Sequence, residues 1–259
     1  MTSTEQVFCP ICATRSGTYC IRIKEFHIYK CANCGLEHTY PKPSLAQLQA
    51  FYSTYTDIRA ASDVVILNAK RNLQLLCEFG YKENKTLLDF GTGDAAFVDI
   101  AGNNCFGVDF KPANKKRVFV NLTDLPIKNY DFITLWGVLE HLANPMETLL
   151  ELTKFRKQNG IIAITTVDAE GAIPYYYKPV EHLTYWTKSS FENLFEKAGI
   201  KLIEYKPYKM LQRSEIYVDR LLSRTPNEFK LAFDGSKSAL PEYIEVPTNE
   251  VFVVGQFLN

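Results

Sequence analysis

Nothing in the sequence approaches the roughly 18 consecutive apolar residues of a membrane-spanning helix. Its first residues, MTSTEQVFCPIC, lack the basic stretch and apolar core of a secretion signal. Neither sign of charge is in surplus, Lys plus Arg and Asp plus Glu both totalling 29. No broad basic field therefore draws the chain onto nucleic acid or an anionic membrane. Internal repeats, low-complexity tracts and long charged runs are missing too. These absences point to a soluble, cytoplasmic protein whose partner is small or neutral. Histidine is scarce: His27, His38, His141 and His182 are the four in the chain, which narrows the search for a group that exchanges protons near neutral pH.

Cysteine, by contrast, is plentiful. There are seven, an odd number, and four of them form two CxxC pairs, Cys9 with Cys12 and Cys31 with Cys34. The 18 residues between the pairs match the spacing of about 15–20 found in tetrahedral zinc sites. Four thiolates leave no open coordination position, so such a Zn2+ would hold structure and would not activate water. Four unrelated buried thiols or a redox dithiol are the alternatives. Arg15, Arg22, Lys24 and Lys30 would offset the negative charge of a four-thiolate centre, or else form a docking surface. Between the pairs, TYCIRIKEFHIYKC alternates enough for a short hairpin, and Cys20, Cys77 and Cys105 read as small apolar side chains.

The motifs divide the chain into a zinc ribbon over 1–40, a helical connector over 41–80 that could serve as a lid, and a main domain over 81–259 with a variable insertion at about 208–245. In the connector, LAQLQAFYSTY has helical spacing, with Leu45, Leu48, Phe51, Tyr52 and Tyr55 able to share a face; a second helix is expected at roughly 63–79. From Thr86 onward the short apolar runs TLLDF, CFGVDF, RVFVN, DFITLWG and GIIAITTV alternate with helical segments. That pattern predicts an α/β fold with an open, mainly parallel sheet.

Asp89 ends the first of these strands and is followed by Gly91 and Gly93 in the turn before a helix. Glycines there let a ligand approach the backbone. Asp109 ends the next strand, 20 residues further on, where a carboxylate can accept both hydroxyl hydrogens of a ribose. GTGDAA alone fits a dinucleotide site equally well. The choice comes from Asp89 ahead of the glycines together with DFITLWGVLEHLANP, because here the chain resembles class I S-adenosylmethionine (SAM)-dependent methyltransferases. In that family strand one commonly reads D-x-G-x-G-x-G, and strand four leads into an L-E-H-L segment.

The resemblance implies a Rossmann-like class I methyltransferase fold, a mostly parallel seven-stranded sheet with helices on both faces, next to the small N-terminal zinc ribbon. It also implies SAM as the cofactor. Gly91 and Gly93 would border its methionine part and Asp109 its ribose, with Asp89 also among the cofactor-binding residues. Asn121, where many members have Asp, would accept from the adenine amino group, and Leu122 would pack on the ring. Trp136 and Gly137 would lie near the sulfonium. Ala95 stands where the family has its third glycine.

Methyl transfer is an in-line displacement, so a protein has chiefly to align the acceptor and, for a hydroxyl or carbon acid, remove a proton. His141, after Glu140, and His182, after Glu181, both follow strands at the ligand edge of the sheet. His182 with Glu181 forms the expected base region, with His141 as a further candidate. Tyr175, Tyr176, Tyr177, Tyr185 and Trp186 could stack on a sugar or small ring, or could simply be packing. EHLTYWTKSSFENLFEKAGI is similar to a stretch in bacterial methyltransferases of sugar, capsule and natural-product pathways, some of which share the ribbon. The expected reaction is O- or C-methylation of a small acceptor such as a nucleotide sugar or glycan intermediate. An RNA or protein methyltransferase docked through the ribbon, or an inactive SAM-binding protein, are the alternatives. The absence of [ND]-PP-[YF] after strand four speaks against methylation of base amines.

Overall fold

The computed structural model describes residues 7–54, 63–111, 114–171, 177–222 and 240–258. Tyr55, Tyr175 and Tyr176, and most of the expected insertion, lie outside them. Three strands come first: β1 (Thr18–Ile23), β2 (Phe26–Lys30) and β3 (Glu37–Tyr40). The first two form the antiparallel hairpin that the alternation predicts, and β3 pairs antiparallel with β2. Helices α1 (Leu45–Thr54) and α2 (Asp63–Glu78) follow. Leu45 stands 72% exposed, so it takes no part in the apolar face expected of α1.

The main sheet is built from β4 (Leu87–Phe90), β5 (Cys105–Val108), β6 (Val118–Phe119), β7 (Tyr130–Trp136), β8 (Arg156–Val167), β10 (Ile200–Arg213) and β11 (Tyr243–Phe257). Their spatial order is β10-β11-β8-β7-β4-β5-β6. Neighbours from β8 to β6 are parallel, and β11 runs antiparallel to both β8 and β10. This is the mainly parallel sheet expected from the alternating segments, with the seven strands that the resemblance implies. Two details differ. The RVFVN strand shortens to two residues. At the other edge, β10 runs on past residue 208, and Lys209–Arg213 pair with residues 243–247, so strand occupies both margins of the expected insertion.

Strand alternation sends successive side chains to opposite faces. Leu88, Ile133, Leu135, Ile162, Ile164, Val251 and Val253 meet Leu149 and Leu152 of α4 (Pro145–Thr153) and Phe191, Leu194 and Phe195 of α5 (Lys188–Lys197). Leu87, Phe132, Ala163, Phe252 and Val254 meet Ala69 and Leu76 of α2 and Phe97 and Val98 of α3 (Ala96–Ala101). At the β10 edge, the Asn68 amide from α2 bonds both the carbonyl and the N–H of Leu211, at 2.9 Å each, and so satisfies backbone groups that no strand pairs. Among the described residues no helix is long and apolar enough to cross a membrane.

The N-terminal strands do not stand apart. Strand β9 (Thr184–Tyr185), from the segment after β8, joins their sheet beside β3 in the order β1-β2-β3-β9. Cys9, Ile11, Cys31, Cys34 and Leu36 share one core with α4 and α5. Ser189 Oγ donates to the Cys34 carbonyl at 2.8 Å, and Thr39 N–H to the Leu183 carbonyl at 2.9 Å.

Candidate active site

In a doubly wound sheet, ligands bind beyond the carboxyl ends of the strands where strand order reverses. Here that point lies between β4, which leads outward to β5 and β6, and β7, which leads the other way. Asp89 lies near the carboxyl end of β4, next to this point. It is 2% exposed, its Oδ1 accepts from Thr134 Oγ1 at 2.7 Å, and burial pushes its carboxyl up to about 7.

Gly91 (φ +76°) and Gly93 (φ +55°) turn the chain after β4 through conformations that side chains resist. Their reasons differ. A Cβ on Gly91 would fall 2.5 Å from Val138 Cγ2, whereas one on Gly93 would meet no atom within 4 Å. Gly91 thus lets the turns after β4 and β7 touch, and Gly93 keeps backbone bare toward open space. Asp109 draws this loop together, with Oδ2 accepting from Gly93 N–H and Oδ1 from Lys111 N–H, each at 2.9 Å. Its own N–H donates to Phe119 O at 3.0 Å, which sets the turn of Asn121 and Leu122 alongside. Asn121 donates its amide to Asp124 Oδ2 at 3.0 Å, and Leu122 is half-buried.

Trp136 turns toward the α2 and α3 face, parallel to Phe252 and edge-on to Phe97. Its indole N–H is buried with no acceptor among the described residues. Gly137 (φ +64°) follows, held by the carbonyl and hydroxyl of Thr165 at 3.0 Å each. A Cβ there would lie 3.7 Å from Glu140 Oε1. The Glu140 carboxylate therefore sits against the glycine expected beside the reacting methyl.

Around Glu140 the structure gathers the acceptor-side candidates. Its Oε2 accepts from Thr166 Oγ1 at 2.7 Å, its Oε1 lies 3.9 Å from His141 Nε2, and burial pushes the carboxyl up to about 7. His141 Nδ1 bonds the Glu181 carbonyl at 2.7 Å. The His141 and His182 rings meet edge-on at 5.1 Å, and His182 Nε2 lies 3.8 Å from Glu181 Oε1. Burial, reinforced by the neighbouring His141, drives His182 down to about 3, so it is neutral at physiological pH. Leu183 N–H donates to the Glu140 carbonyl at 2.7 Å and Thr39 Oγ1 to the His182 carbonyl at 3.1 Å. The segment bearing His182 is thus clamped between the turn after β7 and strand β3.

Of the aromatic side chains expected over an acceptor, Tyr185 and Trp186 are fully buried packing residues. Tyr177 bonds Glu37 Oε2 at 2.8 Å. Thr134, Thr165 and Thr166 were not singled out from the sequence. Threonine at a strand end is an ordinary β-former, and its hydroxyl gains a role only through a partner elsewhere in the chain.

The four cysteines converge as their spacing predicts, in a cluster that could hold a metal ion, with all four sulfurs within 4.8 Å of one another. Cys9 and Cys34 Sγ lie 3.7 Å apart, against an edge of about 3.8 Å for a tetrahedron with metal–sulfur bonds of about 2.3 Å. Asn33 Nδ2 donates to Cys12 Sγ at 3.3 Å and the Cys12 N–H to Cys9 Sγ at 3.5 Å, as suits thiolate acceptors.

Similarity to known proteins follows this geometry. A family profile described as "Methyltransferase domain" matches residues 65–205. Among solved structures, a Burkholderia thailandensis 1,6-didemethyltoxoflavin-N1-methyltransferase, with bound 1,6-didemethyltoxoflavin and S-adenosylhomocysteine, is 13% identical. The similarity covers 94% of this chain and 100% of that one, with a TM-score of 0.55. A SAM-dependent methyltransferase from Aquifex aeolicus is 16% identical over 84% of this chain and 100% of its own, TM-score 0.48. No curated protein matches the chain. Since the profile spans more than half of its 259 residues, the chain belongs to the methyltransferase domain family and is a SAM-dependent methyltransferase.

Proposed function

We propose that the chain methylates oxygen or carbon of a small acceptor, a sugar or glycan precursor such as a nucleotide sugar, with SAM as donor and a structural Zn2+ in the cysteine cluster. The observation that carries this reading is the Glu140, His141 and His182 cluster set against Gly137. It supports reading these proton-accepting groups as the acceptor side of a cradle whose other side suits SAM. Asp89, Gly91 and Gly93 border the methionine part, Asp109 takes the ribose hydroxyls, and Asn121 and Leu122 take the adenine. Trp136 and Gly137 flank the sulfonium.

Methyl transfer needs no covalent help from the protein. Its tasks are to align the acceptor with the sulfonium methyl and to take the proton an oxygen or carbon acceptor loses. His182, Glu181 and His141 are the residues for the second task. The Burkholderia enzyme holds a small heterocycle together with S-adenosylhomocysteine, so the shared fold accommodates both kinds of ligand.

Cys9, Cys12, Cys31 and Cys34 would hold the zinc ion, which supplies a cross-link and no reaction step. Incubation with SAM and a panel of nucleotide sugars, read by mass spectrometry of S-adenosylhomocysteine and of a product 14 mass units heavier (one CH2), tests the reading. Turnover on sugars supports it; turnover confined to RNA or protein substrates, or NAD bound in place of SAM, would overturn it.

A further inference from the structure

The cluster at the acceptor side resembles a cation site in its donor set and in what surrounds it. One oxygen of Glu140, one ring nitrogen of His141 and one of His182 lie within 4.8 Å of one another. Two imidazoles and one carboxylate suit a borderline divalent cation and leave coordination positions for small oxygen ligands.

Groups that ligate metals are themselves held by outer hydrogen bonds, and this holds for two of the three. His141 Nδ1 is engaged by the Glu181 carbonyl at 2.7 Å, which fixes the tautomer that leaves the Nε2 lone pair toward Glu140. Glu140 Oε2 is oriented by Thr166 Oγ1 at 2.7 Å.

Two further observations call for a ligand. Glu140 is 4% exposed, and the positive charge that bears on it comes from the His141 ring, at 3.9 Å and charged only if protonated, and from the Lys178 ammonium, which is shared with Glu181 at 3.1 Å; a buried carboxylate is ordinarily paired in full. His182 is 9% exposed, and its Nδ1 is buried with no hydrogen-bond partner among the described residues. A cation at this place would answer the first demand by charge, and would accept one His182 nitrogen while the other turns toward Glu181.

We infer that Glu140, His141 and His182 form a second metal site, taking a divalent first-row cation such as Zn2+ or Fe2+ beside the acceptor. This deepens the reading of the acceptor side and rests on it for its role; of the three candidate bases it takes up the ring nitrogens of His141 and His182 and leaves Glu181, paired with Lys178 at 3.1 Å, to receive the acceptor's proton. Binding itself can be measured without SAM, acceptor or turnover, so its failure is distinguishable from failure of the proposed reaction.

The test uses the full chain with its cysteine cluster filled by Zn2+, titrated with Co2+ and followed by visible absorption. The expected result is a second equivalent with weak nitrogen and oxygen ligand bands and no intense thiolate band, and paramagnetic shifts at two of the four histidine rings by NMR. Glu140→Gln and His182→Gln should each weaken Co2+ binding by at least about 100-fold, and Thr166→Val by about 10–100-fold, with melting curves confirming the fold. The NMR shifts come from the unaltered chain and do not depend on any variant folding. No bound Co2+ beyond the cysteine site, shifts at His27 or His38 instead, or undiminished binding in folded Glu140→Gln and His182→Gln would overturn the inference.

Discussion

The two halves of the crevice are made in different ways. On the proposed cofactor side, two of the bonds that shape the site stay within 16 residues, Gly93 to Asp109 and Asp109 to Phe119, while Asp89 to Thr134 spans 45 and joins neighbouring strands. Much of this is backbone, with glycine required by turn geometry. On the proposed acceptor side, His141 to Glu181 and Glu140 to Thr166 span 40 and 26 residues, but Thr39 to His182 and Cys34 to Ser189 reach across 143 and 155 and bring in the N-terminal sheet. The first half can persist as a local unit, whereas the second depends on three elements, the N-terminal sheet among them, staying docked.

The largest effect expected from this contrast comes from Cys31→Ser, which removes one thiolate from the cluster. Because β9 extends the N-terminal sheet, loss of the cluster should undock the segment holding His182. Metal analysis should fall from about one tightly held zinc per chain to none, and methyl transfer should be lost. SAM affinity, read by calorimetry, should change by less than about threefold, well under 1 kcal/mol. If SAM binding disappears as well, the two halves are one cooperative unit and the contrast fails.

Legibility in the sequence follows the same division. The strand run from Thr86, the turn of Gly91 and Gly93 and the two CxxC pairs were readable because each is a spacing within a short window, and the structure places all of them as the spacing implies. Glu181 and His182 could be named by likeness, but their meeting with Glu140 depends on a bond from residue 183 to residue 140, which no local pattern announces. β9 is two residues long and leaves no periodicity. The six-residue α3 and the two-residue β6 were both expected, β6 as the longer run RVFVN. The buried Asn68, a polar residue in the middle of α2, became intelligible only once its partner Leu211 in β10 was visible.

A second test exploits the charge state of Asp89. Its carboxyl is raised by burial to about 7, against about 3.9 in an unfolded chain. Between those values the folded protein holds a proton that the unfolded chain has released. The stability this contributes is therefore complete below about pH 4 and is lost as pH rises through about 7. At about 1.4 kcal/mol per pKa unit, the loss approaches 4 kcal/mol. Asp89→Asn should gain on the parent protein by that order as pH goes from 4 to 8, measured by denaturant unfolding in the absence of SAM. Binding of SAM, with its cationic sulfonium and ammonium, should favour the ionised carboxylate and so tighten as pH rises toward 8 in the parent but not in the variant. A flat stability difference between pH 4 and 8 would remove Asp89 as the titrating group.

Asp109→Ala and His182→Ala set the halves directly against each other. Asp109→Ala deletes the carboxylate proposed to accept from the ribose hydroxyls and releases the Gly93 and Lys111 N–H groups. A loss of about 2–3 kcal/mol, or roughly 30–150-fold in SAM affinity, is expected. His182→Ala should leave SAM affinity unchanged and slow transfer at least about 100-fold. Equal loss of SAM binding in both variants would show that His182 supports the cofactor cradle, while normal turnover in His182→Ala would remove it from the acceptor site.

The smallest effect is expected at Ala95, where the cofactor turn departs from its usual glycine. Ala95 occupies the left-handed region at φ +63° and is fully buried. Two opposing quantities set the outcome of Ala95→Gly. Removing the left-handed strain on a Cβ gains about 1–2 kcal/mol, while losing a buried methyl costs about 0.8 kcal/mol and the freer unfolded glycine costs about 0.4–1 kcal/mol. On these figures the two sides cancel to within about 0.8 kcal/mol, so the melting temperature should move by no more than about 3 degrees in a protein of this size. SAM affinity should stay the same, because the N–H that Asp109 organises belongs to Gly93. A melting temperature that falls further would mean that the methyl, packed in the core shared with Val98 and Leu87, outweighs the strain. The cofactor side would then depend on side-chain packing as well as on backbone, and would stand closer to the acceptor side than its short-range bonds suggest.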